Sequence, residues 1–180
     1  MFPIKPDNDK ALNAAIYVAS HFEKVGFHKI FKILYFADQK HIANYGRTIT
    51  EDKYIAMQKG PVPSRVYDIF KIIKGESILE DKYNFSKYLK IENGYIVKPR
   101  IKPNLDLFSD SDIECLNDSI KENGELKFRE LKDKSHDSAW NQADKNDRIS
   151  IFDIAKAGGA SEEMIKYIKT LIDNRQILPA

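Results

Sequence analysis

Asp38 and His41 come nearest, among the residues of this chain, to a pair that could do chemistry. They stand three apart in an apolar stretch, so on a helix they share a side. A histidine beside a carboxylate can take up and release a proton near neutral pH. A metal site would need further ligands, and His21 and His28 have no ligand-like spacing to this pair. The structural alternative is that Asp38 and His41 satisfy each other, or nearby backbone groups, at the end of a helix. Cys115 is the only thiol. Asp112, Glu114 and Asp118 lie close in sequence, and carboxylates raise a thiol's pKa and quiet it. There is no Gly-x-Ser-x-Gly elbow and no phosphate-binding loop with a Gly-Lys-Ser/Thr ending. Gly158-Gly159 could present amides to an anion ahead of a helix, though a helix break is the simpler use. No complete catalytic set emerges, so the residues point away from an enzyme and call for no cofactor and no metal.

Two other groups of residues suit binding rather than reaction. Gly60-Pro61-Val62-Pro63 reads as a proline-braced turn. Each proline holds φ near ~−65° and biases the residue before it toward extended geometry. A turn stiffened in this way loses little freedom on contact with a partner; equally, it can serve to aim the helix that follows. Ser135-His136-Asp137-Ser138-Ala139-Trp140 is a helix entry in which Ser135 or Asp137 can cap and Trp140 falls four residues after His136. A lone tryptophan is either a core anchor or an interface anchor. Lys53, Lys59, Arg65, Lys71 and Lys74 cluster around the proline-rich segment, diluted by Glu51, Asp52 and Asp68.

These residues must be held by a mainly helical scaffold. Asp7 to Asp9 offer caps for a helix carrying Leu12, Ala15, Ile16, Ala19 and Phe22, which Gly26 is expected to stop. The next helix, from about His28 to Tyr45, is apolar nearly all round and so is expected to be central, with Gly46 ending it. Lys53 to Gln58 reads as a short strand. After the proline-rich turn, a helix begins at Pro63 or Ser64, carries Val66, Ile69, Phe70 and Ile73, and ends at Gly75. Tyr88–Glu92 and Tyr95–Lys98 flank Asn93-Gly94, a strong hairpin signal. Ser109 to Asp112 cap a helix that stops before Gly124. Short helical pieces follow at about 126–131, 138–143 and 149–157, and Ser161 caps a last helix with Ile165, Ile168 and Ile172. The expected fold class is mainly α with a small antiparallel sheet (α+β), the sheet formed by the 53–58 strand and the hairpin.

Composition sets the outer bounds. A chain of 180 residues fits one domain, with a soft boundary near 99–108 as the alternative. A formal net charge of +2 demands no nucleic-acid partner. One cysteine forms no internal disulfide, which suits a reducing cytoplasm. The N-terminus lacks the apolar run of a secretory signal, and no run of about 18 apolar residues foretells a membrane span.

The motifs together resemble a known family. Lys32-Ile33-Leu34-Tyr35-Phe36-Ala37-Asp38, His41, Tyr45-Gly46-Arg47-Thr48-Ile49-Thr50 and Tyr54-Ile55-Ala56-Met57-Gln58-Lys59-Gly60-Pro61-Val62-Pro63 resemble the first motif of the SocA-like antitoxin, or Panacea, domain. The segment Ser135 to Trp140 is similar to its second. The resemblance covers roughly 10–145 and leaves out the helix from Ser161. It implies a phage-associated or bacterial antitoxin that neutralises a cognate toxin, encoded beside it, by direct binding. One branch of the family is associated with handing its toxin to a protease. The resemblance marks Asp38, His41, Lys59, Gly60, Pro61, Val62, Pro63, His136 and Trp140 as motif positions. These, with Tyr67, are the candidate partner-binding residues. The other open reading is a DNA-binding regulator of winged-helix type, with the basic stretch from Lys53 to Lys74 and the Asn93-Gly94 hairpin as its wing.

Overall fold

The computed structural model describes residues 6–78, 81 and 83–177, and its centre is one helix. Elements run in the order α1 (Pro6–Ser20), β1 (Val25–Gly26), α2 (Phe27–Tyr45), β2 (Tyr54–Met57), β3 (Gly60–Pro63), α3 (Ser64–Lys74), β4 (Leu89–Glu92), β5 (Ile96–Pro99), α4 (Asp110–Asn123), α5 (Phe128–Ser135), α6 (Ser138–Gln142), α7 (Ile151–Ala157) and α8 (Glu162–Ile177). Mainly helical architecture with small antiparallel sheets is therefore the observed class. None of the helices among the described residues is long and apolar enough to cross a membrane.

The all-round apolar pattern of α2 has the expected consequence. Twelve of its nineteen residues are buried, so it keeps no broad face free to enter a DNA groove. It packs against α1, α4, α5, α7 and β3. One apolar cluster joins α1 and α2 to α3, β4, β5 and α4, with Leu12, Ile16, Ile30, Leu34, Phe70 and Leu116 inside. A second gathers Tyr35, Ile42, Tyr54, Ala139, Ile154 and Ile168 under α7 and α8. Each fully buried aliphatic or aromatic side chain contributes roughly 1.5–3 kcal/mol.

The C-terminal end of α2 behaves as its residues dictate. Gly46 takes φ +76° and donates its N–H to the Ile42 carbonyl at 3.0 Å. Gly26, by contrast, does not stop α1, which ends at Ser20. Gly26 sits in β1 and precedes α2, because Val25 and Gly26 pair with Val97 and Ile96 of the hairpin. The cap expected at Asp7 lies outside the described side chains.

The small sheet divides into two. The β4–β5 hairpin, turned by Asn93 and Gly94 in left-handed conformations, pairs with β1. The strand at Tyr54–Met57 does not join it. Its partner is the Gly60–Pro63 segment itself, in the register Tyr54↔Pro63, Ile55↔Val62, Ala56↔Pro61 and Met57↔Gly60. The proline-rich segment is therefore a strand rather than a turn, and it is buried along its whole length. The reason is local geometry. Proline's fixed φ is compatible with extended backbone, and a two-stranded ribbon tolerates the lost donor. The true turn is Gln58-Lys59, and both residues are exposed. On its other edge β2 is bonded to the 146–149 segment: Ala56 donates to the Asp147 carbonyl at 2.9 Å and Ile149 to the Tyr54 carbonyl at 2.8 Å.

Candidate functional site

Gly60 enters β3 with φ +95°, a conformation that side-chain-bearing residues rarely adopt. A Cβ there would stand 2.9 Å from Lys32 Nζ and also clash with Ser135 Oγ. Lys32 lies on α2 with no exposed surface, and its ammonium donates to the Pro61 carbonyl at 2.6 Å. Among the described residues it forms no ion pair with a carboxylate. Burial without a counter-charge pushes its pKa down to about 7. The family-like segment thus encloses a buried amine bonded to backbone, directly beneath the β2–β3 tip.

Above that amine opens a groove of about 750 Å³. The first turns of α2 supply Phe27, His28 and Phe31. The β2–β3 tip supplies Met57, Gln58 and Lys59, β3 supplies Val62, α3 supplies Tyr67, and α5 supplies Phe128 and Leu131. Tyr95, from the tip of the β4–β5 hairpin, closes one end. Its carbonyl accepts the Phe27 N–H at 3.1 Å, which ties that hairpin to the start of α2. The aromatic wall is continuous: Phe27 and Phe31 lie 6.0 Å apart, Phe31 and Tyr67 meet edge to face at 5.8 Å, and Phe128 lies against His28 at 4.1 Å. The Lys59 ammonium sits 5.9 Å over the Phe128 ring. Tyr95 and Phe128 are 56% and 50% exposed, an unusual state for large rings at the mouth of a groove.

Charge around the groove is one-sided. Its lining includes His28, Lys29, Lys32 and Lys59 and no carboxylate. Burial first, and then the neighbouring Lys32, hold the His28 pKa down at about 4. The Lys59 carbonyl is close to that ring, yet His28 Nε2 makes no hydrogen bond of acceptable geometry. His136, behind the tip, also has its pKa lowered, by burial and then by Lys132, and its Nε2 has no partner.

The sequence-based candidates divide between this groove and its supports. Lys59, Val62 and Tyr67 line it. Gly60, Pro61 and Pro63 form the buried strand behind it. The indole N–H of Trp140 donates to the Met57 carbonyl at 3.0 Å, and its ring stacks on His136 at 3.7 Å with an interplanar angle of 3°. Both therefore brace the tip from outside the groove.

Asp38 and His41 lie elsewhere and do not meet. Asp38 is fully buried and accepts from Ile49 N at 2.6 Å, Thr50 N at 3.2 Å, Thr50 Oγ1 at 2.6 Å and Tyr54 Oη at 2.8 Å. Burial outweighs these bonds and leaves its pKa raised. Its work is to fasten the loop that launches β2. His41, equally buried, reaches the Arg47 carbonyl at 2.8 Å through Nδ1 and Ser111 Oγ at 3.0 Å through Nε2, with Asp112 Oδ1 also at 3.0 Å. It joins the end of α2 to the start of α4. Burial would raise the Asp112 carboxyl, but the contacts from His41, Lys10 and Ser109 hold it well below the carboxylate range. The acid–base couple that their spacing allowed is instead two separate structural clasps, and neither residue lines the groove. No group of three or more His, Cys, Asp and Glu among the described residues is placed to hold a metal. Cys115 is buried and its thiol pushed up to about 11, first by burial, as its acidic surroundings foretold.

The sequence reading passed over Phe27, Phe31, Lys32, Met57, Tyr95 and Phe128. One signal was available. Lys32 is a lone charge inside the apolar run from Ile30 to Leu34, and such a residue is either paired or held for a purpose.

A family model described as antitoxin SocA-like, Panacea domain, matches residues 30–141. That span holds most of α2, both hairpins, α3, α4, α5 and Trp140. The chain belongs to the SocA-like antitoxin family, Panacea domain. No curated protein and no solved structure matches it. The matched span supplies most of the groove, with Gly26 to Lys29 and Asn146 just outside it.

Proposed function

We propose that this protein is an antitoxin that neutralises a cognate toxin by holding it directly, without catalysis, and that the groove beside the β2–β3 tip is the contact surface. The observation that carries the reading is an open apolar groove, built largely by the family-matched span, with two half-exposed aromatic rings at its mouth. Exposed aromatics around a concave apolar patch are what protein interfaces bury at their centres. The buried strand, and the hold of Asp38 on the loop that leads into β2, stiffen the tip beside the groove, so little ordering is required on contact.

The DNA-binding reading has less support. Lys71 pairs with Asp68 at 2.7 Å and Lys74 with Glu76 at 2.6 Å, so part of the basic stretch is already neutralised. The hairpin offered as a wing carries β1 on one edge and packs against α1 and α3. The acid–base reading has none at Asp38 and His41, which are sealed from any substrate.

The test is co-expression with the neighbouring gene. Growth arrest by that gene alone, rescue when this chain is present, and co-elution of the two proteins at a fixed ratio are expected. A neighbour that is harmless alone, or as toxic in the presence of this chain, refutes the reading.

A further inference from the structure

We infer that the groove takes an acidic–apolar segment of a protein partner, with a large apolar side chain seated among Phe31, Tyr67 and Phe128 and an Asp or Glu carboxylate beside it, facing Lys59 and the amine beneath the floor. This rests on the direct-binding reading above and names the chemistry the partner must bring.

Charge complementarity is the first argument. The lining carries Lys29, Lys32 and Lys59 against no acid, while His28, with its pKa held at about 4, is neutral near pH 7. Lys32 is the decisive member. A buried ammonium bonded only to a backbone carbonyl creates a positive potential that water does not screen. Its low pKa is a measure of how poorly it is compensated. A carboxylate arriving at the groove supplies the missing counter-charge. Two lysines beside the aromatic wall already have acids: Lys71 has Asp68 and Lys74 has Glu76.

Shape is the second argument. About 750 Å³ falls within the roughly 300–1,000 Å³ of pockets that enclose a ligand of several side chains' size. The walls are Phe27, Phe31, Met57, Val62, Tyr67 and Leu131, so an apolar side chain gains by entering. The rim rings Tyr95 and Phe128 stand half in water, so a visitor that covers them removes their apolar surface from solvent. Phe128 also covers His28, whose Nε2 lacks a partner. A polar group of the visitor that displaces this ring meets an unsatisfied nitrogen.

A peptide segment fits these features better than a nucleic acid. Phosphates need a row of free cations, whereas the groove offers one exposed ammonium, Lys59, over a mostly apolar bed. Lys29 is engaged with the Gly124 carbonyl.

The experiment selects from a random dodecapeptide library displayed on phage, with the full chain as bait. Winners are synthesised and titrated by fluorescence anisotropy. Enrichment of peptides with Asp or Glu next to Phe, Trp, Leu or Ile is expected. Phe128→Ala and Lys59→Glu alter a half-exposed and an exposed side chain, and a melting curve for each variant checks that it remains folded. Combined, they should weaken binding by about tenfold or more, as the loss of an aromatic anchor and the reversal of a facing charge require. Lys121→Glu, on the exposed face of α4, should leave binding unchanged. Winners that are neutral or basic, or that bind the double variant as tightly as the parent, overturn the inference. So does a labelled oligothymidylate that displaces them with steep salt dependence.

The same variants separate this inference from the reading it rests on. If the parent chain rescues growth from its neighbour and the double variant rescues equally well, the groove assignment falls while direct neutralisation stands. If the parent fails to rescue but acidic–apolar peptides bind and are lost with Phe128→Ala and Lys59→Glu, the groove assignment stands and the antitoxin reading falls.

Discussion

Replacing Lys32 with methionine should make this protein more stable, although it removes a hydrogen bond. The folded amine titrates at about 7, against 10.5 for an unperturbed lysine, because it is buried without a counter-charge. Between those values the unfolded chain holds a proton that the folded protein has lost. The unfolded state binds more protons, so stability rises with pH across this window. Linkage puts the cost of the buried amine at about 4 kcal/mol at pH 7 and below about 3 kcal/mol at pH 8.5, so stability should gain about 1–2 kcal/mol over that interval. Lys32 dominates the interval. His28 and His136, both lowered in the fold, lose most of their unfolded-state protons around 6.5, and the Cys115 thiol, with an unfolded value of 9.0, has only begun to ionise at its upper end, so these groups add only a few tenths of a kcal/mol. Methionine matches lysine's stem in length and shape, which limits repacking. It leaves the Pro61 carbonyl without its donor, at a cost of roughly 1–3 kcal/mol. The net expectation at pH 7 is a variant more stable than its parent by about 1–3 kcal/mol, with the pH dependence between 7 and 8.5 removed. Urea unfolding followed by circular dichroism at pH 7, 7.5, 8 and 8.5 measures both quantities. A parent whose stability is flat over this interval, or a variant with the parent's slope, would refute the idea of an uncompensated ammonium, and with it the main electrostatic argument for an acidic partner.

Two further substitutions test the frame behind the groove. Gly60→Ala forces a side chain into φ +95° and against Lys32 and Ser135, and should cost at least ~2 kcal/mol in urea unfolding; a loss below ~0.5 kcal/mol would mean that the strand shifts freely. Asp38→Ala strands two backbone N–H groups and two hydroxyls in the core and should cost at least ~3 kcal/mol, with the amides of Ile49 and Thr50 losing hydrogen-exchange protection. Protection unchanged at those two amides would show that the carboxylate does not fasten the loop.

Local patterns in the sequence settled much of the architecture. The all-round apolar run of α2, the Gly46 and Gly75 endings, the Asn93-Gly94 turn and the Ser109–Asp112 capping box each depend on residues within a turn or two of one another, and each stands where the pattern put it. Motif order along the chain was sufficient to identify the family. The quieting of Cys115 was legible in part: its acidic neighbours are sequence neighbours on one helix, whereas the burial that raises its thiol most comes from packing.

Pairing across distance was not legible. Two prolines argued for a turn, yet Gly60–Pro63 became a strand because β2 lies alongside it and Gln58-Lys59 can make the turn instead. Asp38 and His41 look like a couple on a helical wheel, but the loops that pack over α2 draw them to different partners, at 49–54 and at 111–112. Asp52 supplies another case. The N-terminus of α3 has no cap of its own, and this distant carboxylate accepts from Arg65 N at 3.0 Å and Val66 N at 3.1 Å in its place.

The groove belongs wholly to this second class. Its walls come from α2, α3, α5 and the tips of two hairpins, and its lining residues run from Gly26 to Asn146 along the chain. Composition and periodicity report how each segment will fold and which face it will hide. Which faces meet, and which amine they leave buried without an acid, depends on long-range packing that only the assembled tertiary structure decides.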